Sequence, residues 1–281
     1  MKQICASCVG INVNKIIKTD NDSIPKWLEN TDYVTEFIQN QKKFKEFHRQ
    51  NTSMKMDLDV GMSRSGKYIL YWGAAPSFLP LIKNAKKAYG DFKNNGIAKV
   101  NKKGIATLYF DCPQAYSTIA KGKKNKESFY RHIHFCFSNK QNNEWLSTVY
   151  TKIIVCKLSL QHTLKIVHKG DAILLNSLPR EYYGKSHIPC SYNLPHTEIK
   201  RMTQKEVYDW ISDVVKTNYS KLHKLLQKGK LNIYELPIII YCAHSGCNSS
   251  DIAAKELLKK GFVNISEFKG GMKEYLQSKS T

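Results

Sequence analysis

Apolar positions along this chain keep two rhythms, and the change between them divides the sequence. In the second half, short unbroken apolar runs alternate with stretches whose apolar residues recur every three or four positions. Residues 172–178 (AILLNSL) and the β-branched run Pro237-Ile238-Ile239-Ile240-Tyr241 are too short for helices and read as buried strands of a parallel sheet. A short helix is expected over 163–168, before the first of these strands. Thr203-Gln204-Lys205-Glu206 forms a capping box, with Val207, Trp210, Ile211, Val214 and Val215 on the buried face of the helix that it opens. A second helical run covers 219–227 and stops at Gly229. After the 237–241 strand, Ser249-Ser250-Asp251 reads as an N-cap to IAAKELLKKG, closed by Gly261. Alternating strand and helix imply an α/β sheet with right-handed crossovers.

The first half keeps a different pattern. Residues 23–50 read as helix from Ser23-Ile24-Pro25 onward, with Trp27, Leu28, Tyr33, Val34, Phe37, Ile38, Phe44 and Phe47 at three- and four-residue spacings. A polar, turn-rich stretch is followed by a strand at 67–72, a short helix at 81–89, and a hairpin pattern over 97–110 turning at Asn101-Lys102-Lys103-Gly104. Strands at 130–137 and 147–158 complete it. The pattern predicts two domains: a β-rich, sandwich-like N-terminal domain with helices over 1–157, and an α/β C-terminal domain with a parallel sheet over 158–281. No Pro/Gly/Ser linker marks the boundary, so close packing of the two is expected.

The 237–251 stretch carries the clearest chemistry. Cys242 falls at the carboxyl end of an inner strand, where α/β sheets place their active groups. A small-residue loop then leads to a helix start. Backbone N–H groups of Ala243, His244, Ser245, Gly246, Asn248 and Ser249, with the positive end of the helix dipole, would cradle an anion. The Cys242 thiol is therefore expected to ionise below the ~8.5 of a free cysteine and to act as nucleophile. Cys247 in the same loop is either a resolving thiol or a small buried side chain. His244 is either a base or a bystander, and Lys255 and Lys269 are candidates to screen an anionic donor.

The strand, Tyr241-Cys242, loop, serine and helix, then Gly261-Phe262-Val263-Asn264-Ile265 and Phe268-Lys269-Gly270-Gly271-Met272, resemble the active-site half of a rhodanese-like sulfurtransferase domain. The 172–178 strand and His187-Ile188-Pro189-Cys190-Ser191-Tyr192-Asn193-Leu194-Pro195 are similar to its opening half, so the resemblance spans about 158–281. It implies transfer of a sulfane sulfur through a persulfide on Cys242, a sulfane donor and a thiol acceptor as partners, and no cofactor. The departures are Cys247 and Asn248 where the family loop carries arginine, Asn176 and Leu178 on the opening strand, and Cys190 in place of glycine. They also fit a non-catalytic interaction module that recruits a protein partner.

A second resemblance covers 97–137. The hairpin pattern, Pro113-x-x-Tyr116, a loop, and His132-Ile133-His134-Phe135 are similar to the metal-binding stretch of intradiol ring-cleavage dioxygenases. In a strand, His132 and His134 share a face. The resemblance implies non-haem iron on Tyr116, His132 and His134, with Tyr89 or Tyr71 as the fourth ligand, and a metal-dependent oxygenase activity.

Composition alters this picture little. Hydrophobic residues make up 42% of the 281 positions, enough for packed cores. Lys and Arg outnumber Asp and Glu by 44 to 23, a formal charge of +21 that would attract nucleic acid or anionic substrates. The excess is mostly lysine spread along the chain, densest at 121–126. The eight cysteines do not form a dense scaffold, and Cys5-Ala6-Ser7-Cys8 is a CxxC without a second ligand pair. No apolar run approaches a membrane span and no secretory core follows Met1, so a cytoplasmic protein with reduced thiols and no membrane partner is expected.

Overall fold

The computed structural model describes residues 17–19, 32–119 and 126–280. Cys5, Cys8, the expected helix start at Ser23 and most of the lysine-rich loop lie outside them. The chain divides into two compact units, Met1–Ser77 with Ile82–Ile154, and Phe78–Leu81 with Val155–Thr281.

The first unit is antiparallel. Its elements are β1 (Ile17–Thr19), α1 (Asp32–Asn40), β2 (Met54–Asp59), β3 (Tyr68–Gly73), α2 (Ala85–Tyr89), β4 (Asn95–Lys99), β5 (Ile105–Phe110), β6 (Tyr116–Ile119), β7 (Lys126–Phe129), β8 (His132–Phe137) and β9 (Val149–Ile153). Five of the strands form a sheet in the order β1-β9-β8-β3-β4; β2 pairs with β5 and β6 with β7. One face of β3, through Leu70 and Trp72, packs with Val34, Ile38, Ala88, Tyr89 and Phe92 in an apolar cluster that α1 and α2 help to build. From the opposite face the Tyr71 hydroxyl donates to the Tyr109 carbonyl of β5 (2.9 Å).

Two local expectations fail here for identifiable reasons. The helix does not run to residue 50, because the backbone of Phe47 exchanges two hydrogen bonds with Ile97 (2.9 and 2.7 Å) and is held extended beside β4. The 97–110 stretch is no hairpin either. The turn closes as expected, with the Gly104 N–H on the Asn101 carbonyl (3.0 Å), but β4 pairs with β3 and β5 pairs with β2. Gly104 has φ +80°, and a Cβ there would lie 2.3 Å from the Gly61 backbone, so this crossing between sheets requires glycine.

The second unit is α/β. Its elements are β10 (Cys156–Lys157), α3 (Leu160–His168), β11 (Ile173–Asn176), α4 (Arg180–Lys185), β12 (Ser191–Asn193), α5 (His196–Arg201), α6 (Gln204–Asn218), α7 (Ser220–Gln227), β13 (Ile238–Tyr241), α8 (Ser249–Lys259), β14 (Ile265–Phe268) and α9 (Gly271–Gln277). The sheet is parallel throughout, in the order β10-β14-β13-β11-β12. The 147–158 stretch, read as one strand, is split: β9 closes the antiparallel sheet and β10 joins the parallel one beside Ser266 and Glu267.

Ile238, Ile239, Ile240 and Tyr241 are all fully buried, which is why β13 carries no polar alternation. Each isoleucine contributes roughly 1.5–3 kcal/mol of burial. The capping box at α6 forms as read, with Thr203 and Glu206 satisfying each other's backbone amides. Among the described residues no helix is long and apolar enough to cross a membrane. Among the described residues Cys136, Cys190, Cys242 and Cys247 are free cysteines.

Gly271, the first residue of α9, has φ +62°, and a Cβ there would meet the Cys242 carbonyl oxygen at 2.4 Å. Gly271→Ala is expected to cost about 2–3 kcal/mol, because strain and a backbone clash coincide. Gly184→Ala, where a Cβ meets nothing within 4 Å, should be neutral or slightly stabilising. Urea denaturation of the two variants checks the contrast; equal stabilities would contradict this account of Gly271.

Candidate active site

β13 delivers Cys242 to the carboxyl edge of the parallel sheet, and α8 begins seven residues later. Asn248, not Ser249, occupies the N-cap position, and its side chain makes no capping bond. What fixes the loop is α9. The Met272 N–H donates to the Cys242 carbonyl (2.9 Å) and the Lys273 N–H to the Ala243 carbonyl (2.8 Å). A turn inside the loop is closed by the Cys247 N–H on the His244 carbonyl (2.9 Å).

The two cysteine sulfurs meet in this loop, and their surroundings are opposite in character. Cys242 is fully buried, while Cys247 is partly exposed. Around Cys242 Sγ stand the Cys247 carbonyl at 3.5 Å and the His244 carbonyl at 3.8 Å, both acceptors, and the Ser250 hydroxyl at 3.2 Å. Burial pushes the Cys242 thiol up, and its hydrogen bond to Cys247 pushes it further, outweighing the Ser250 hydroxyl and amide. Partial burial also acts to raise Cys247. Hydrogen bonds from Cys242, from the Ser249 hydroxyl and from the amides of Ala243 and Ser249 outweigh it and hold the Cys247 thiol below its ordinary value.

The expected amide cradle is shared between the two sulfurs: the Ser250 amide serves Cys242, and those of Ala243 and Ser249 serve Cys247. The α9 contacts tie the Cys242 and Ala243 carbonyls, and the Ala243 amide is directed to Cys247. The two thiols titrate as a coupled pair, with Cys242 held above and Cys247 below the ordinary thiol value.

The other expected loop residues divide by position. Ser245, Gly246 and Asn248 are exposed at the mouth, as is His244, whose Nδ1 accepts the Gly246 N–H (3.2 Å) and does not reach either sulfur through its ring. Lys269 is taken up: its ammonium pairs with Asp251 and with Glu267 (3.3 Å) and donates to the Cys247 carbonyl (3.1 Å). Sequence reasoning missed Glu267, which is almost fully buried and accepts the Ser250 hydroxyl (2.5 Å). A carboxylate inside the four-residue strand ISEF, all of it buried, was the available signal. Ser250 itself was read only as a helix cap.

In the first unit the structure gathers Tyr116, His132 and His134, and it supplies Tyr89 as the fourth member. Tyr89 Oη lies 3.2 Å from Tyr116 Oη and 2.9 Å from His132 Nε2; Tyr116 Oη is 3.5 Å from the same nitrogen. The two imidazole rings are edge to face with centroids 4.7 Å apart, and the Tyr89 ring is 5.9 Å from His134. Tyr71 instead serves β5. Burial drives His132 down to about 4 against the Tyr130 carbonyl, and burial with the neighbouring His132 takes His134 well below the ordinary imidazole value, so both rings are neutral. Among the described residues no group of three or more His, Cys, Asp or Glu could hold a metal ion; the cluster here has two histidines and two phenols.

Comparison with known proteins addresses the second unit. Residues 159–278 match the family model of the rhodanese-like domain. The adenylyltransferase and sulfurtransferase UBA4 of Meyerozyma guilliermondii is 27% identical over 114 residues, which are 41% of this chain and 22% of that protein. The chain thus spans about a fifth of the length of the curated relative it matches. Similar solved structures include the human single-domain sulfurtransferase TSTD1 (18% identity, 44% of this chain, 97% of that chain, TM-score 0.32). The Saccharomyces cerevisiae single-domain sulfurtransferase RDL2 is another (15% identity, 44% of this chain, 91% of that chain, TM-score 0.32).

The opposite shifts of the two thiols predict their order of reaction. Because the Cys247 value lies below that of a free thiol, its alkylation by iodoacetamide should persist as pH is lowered through the ordinary thiol range, where Cys242 has already become unreactive. Peptide mass spectrometry after brief labelling at pH 7 should find the label on Cys247. Label first on Cys242 would reverse the assignment.

Proposed function

With residues 159–278 matching a rhodanese-like domain, we propose that this unit is a sulfurtransferase that carries a sulfane sulfur as a cysteine persulfide and works with a pair of thiols. The observation that carries the reading is the contact between Cys242 and Cys247 inside a loop whose Ala243 and Ser249 amides converge on Cys247. The sequence alone pointed to Cys242 as the entry point. The burial of Cys242 and the donors around Cys247 support Cys247 as the atom that a donor reaches first.

The chemistry balances without a cofactor. The Cys247 thiolate attacks the outer sulfur of a donor such as thiosulfate or a low-molecular-weight persulfide. The donor's S–S bond breaks, and sulfite or a thiolate leaves with the bonding pair. An acceptor thiolate can then take the sulfane atom directly. Alternatively, the Cys242 thiolate attacks Cys247 Sγ of the protonated persulfide, and the sulfane atom leaves as hydrosulfide with the bonding pair. The two cysteines are oxidised to a disulfide as the sulfane sulfur is reduced, and two equivalents of external thiol restore them.

The loop lacks the arginine that would clamp a planar or tetrahedral oxyanion in a bidentate fashion. This favours a persulfide donor over thiosulfate. Incubation with each donor followed by mass spectrometry should show the gain of one sulfur on a peptide containing Cys247, lost in Cys247→Ser. A chain that gains no sulfur from either donor would be a non-catalytic interaction module.

The meeting of Tyr89, Tyr116, His132 and His134 supports a second reading, in which the first unit holds non-haem iron. Two phenols and two neutral imidazoles form a donor set suited to ferric iron, and the burial of all four residues would keep water away. Such an ion would supply ring-cleaving oxygen chemistry when bound. The four side chains would hold it, and the hydrogen bond between the Thr151 hydroxyl and His134 Nδ1 (2.8 Å) would fix that ring's orientation. Protein expressed in iron-supplemented medium should contain about one iron per chain and absorb in the visible through a tyrosinate-to-metal band. Tyr116→Phe should weaken and shift that band. Stoichiometrically iron-free protein would end this reading.

A further inference from the structure

The cycle above requires Cys242 to lose its proton at the moment that it attacks, yet burial and a ring of acceptors favour the thiol. One route out of this enclosure is built into the sheet. Ser250 Oγ, itself fully buried, stands 3.2 Å from Cys242 Sγ and 2.5 Å from Glu267 Oε1. Glu267 sits on β14, next to β13, and its Oε1 is 3.3 Å from the Lys269 ammonium.

Proton counting orients the chain of bonds. A carboxylate beside an ammonium has only acceptors, so the Ser250 hydroxyl must donate to Glu267. The hydroxyl then has only lone pairs left for Cys242, whose single S–H can turn to it from the Cys247 and His244 carbonyls. The order is Cys242 S–H to Ser250 O–H to Glu267 carboxylate, the arrangement in which two short proton shifts ionise the thiol.

We propose that Ser250 and Glu267 form a proton relay that activates Cys242 as the resolving thiol. Ser250 is a catalytic residue, since its oxygen touches the reacting sulfur; Glu267 is a positioning residue that acts through it and receives the proton. One proton moves from Cys242 Sγ to Ser250 Oγ as the hydroxyl's own proton moves to Glu267 Oε1. The thiol becomes a thiolate and the carboxylate becomes the acid. Cys242 then attacks Cys247 Sγ and hydrosulfide leaves. Reduction of the disulfide by external thiol returns a proton to Cys242, and Glu267 releases its own to solvent. Lys269, tied to Glu267, Asp251 and the Cys247 carbonyl, links the carboxylate to the loop that holds the second cysteine.

The proposal rests on the two-cysteine sulfurtransferase reading, and its test separates the two. Full-length protein is loaded with a persulfide donor and freed of excess reagent. Hydrosulfide release is then followed in a single turnover from pH 6 to 10 and expressed per mole of persulfide loaded. Ser250→Ala and Glu267→Gln are each expected to slow release by ~10²-fold near pH 7, the usual scale of a lost proton acceptor. The deficit should shrink towards pH 10, where hydroxide can take the proton. A merely structural defect would lower the rate at every pH alike.

Circular dichroism verifies the fold of each variant. Should the buried amide of Glu267→Gln prevent folding, Ser250→Ala, which only removes an oxygen, decides alone. Release at the wild-type rate with an unshifted profile would overturn the relay and leave the sulfurtransferase reading standing. Wild-type protein that acquires no sulfur would overturn both.

Discussion

The candidate site depends on two backbone hydrogen bonds that lie outside the loop they shape. The carbonyls of Cys242 and Ala243 are held by the first amides of α9, which satisfies polar groups at the buried end of β13. Once those carbonyls are fixed, planarity of the peptide fixes where the intervening amide points. The Ala243 N–H is thereby committed to Cys247. Gly271 belongs to the same constraint, because α9 approaches the Cys242 carbonyl too closely to tolerate a side chain at that position.

This arrangement makes two chemically identical thiols unequal. One sulfur collects the Ala243 and Ser249 N–H donors and partial solvent access; the other collects two carbonyls, the Ser250 hydroxyl and amide, and complete burial. The difference arises from backbone direction and enclosure, with no charged side chain in contact with either sulfur in the contacts described. Lys269 is engaged by Asp251 and Glu267 and acts on the loop through the Cys247 carbonyl.

Much of the parallel sheet was legible because its strands are buried on both faces and carry unbroken apolar runs, as Ile238, Ile239 and Ile240 do. The α6 capping box was legible because it is local. The loop's location at a strand's carboxyl end was also readable, and so was the shared face of His132 and His134. Which sulfur the amides serve was not, since it is decided by α9, some thirty residues downstream of β13. Glu267 escaped notice for a similar reason: its partner Ser250 lies on a different element, and nothing in the strand announces the pairing. In the first unit, the Asn101–Gly104 turn looked like a hairpin because turn chemistry is local, whereas the choice of partner strand is a matter of tertiary packing. Tyr89 stood at an irregular spacing from Tyr116, and only the packing of α2 against the sheet brings their hydroxyls together.

The unequal enclosure of the two sulfurs bears on how the unit would meet peroxide. Oxidants of that kind attack thiolates, so Cys247 would be struck first and carried to a sulfenic acid. A neighbouring thiol already in contact can condense with that acid, expelling water, before a second oxidation makes the damage permanent. Cys242, sealed beside it, would thereby be held in reserve as a repair partner, and the lesion would end as a reducible cross-link.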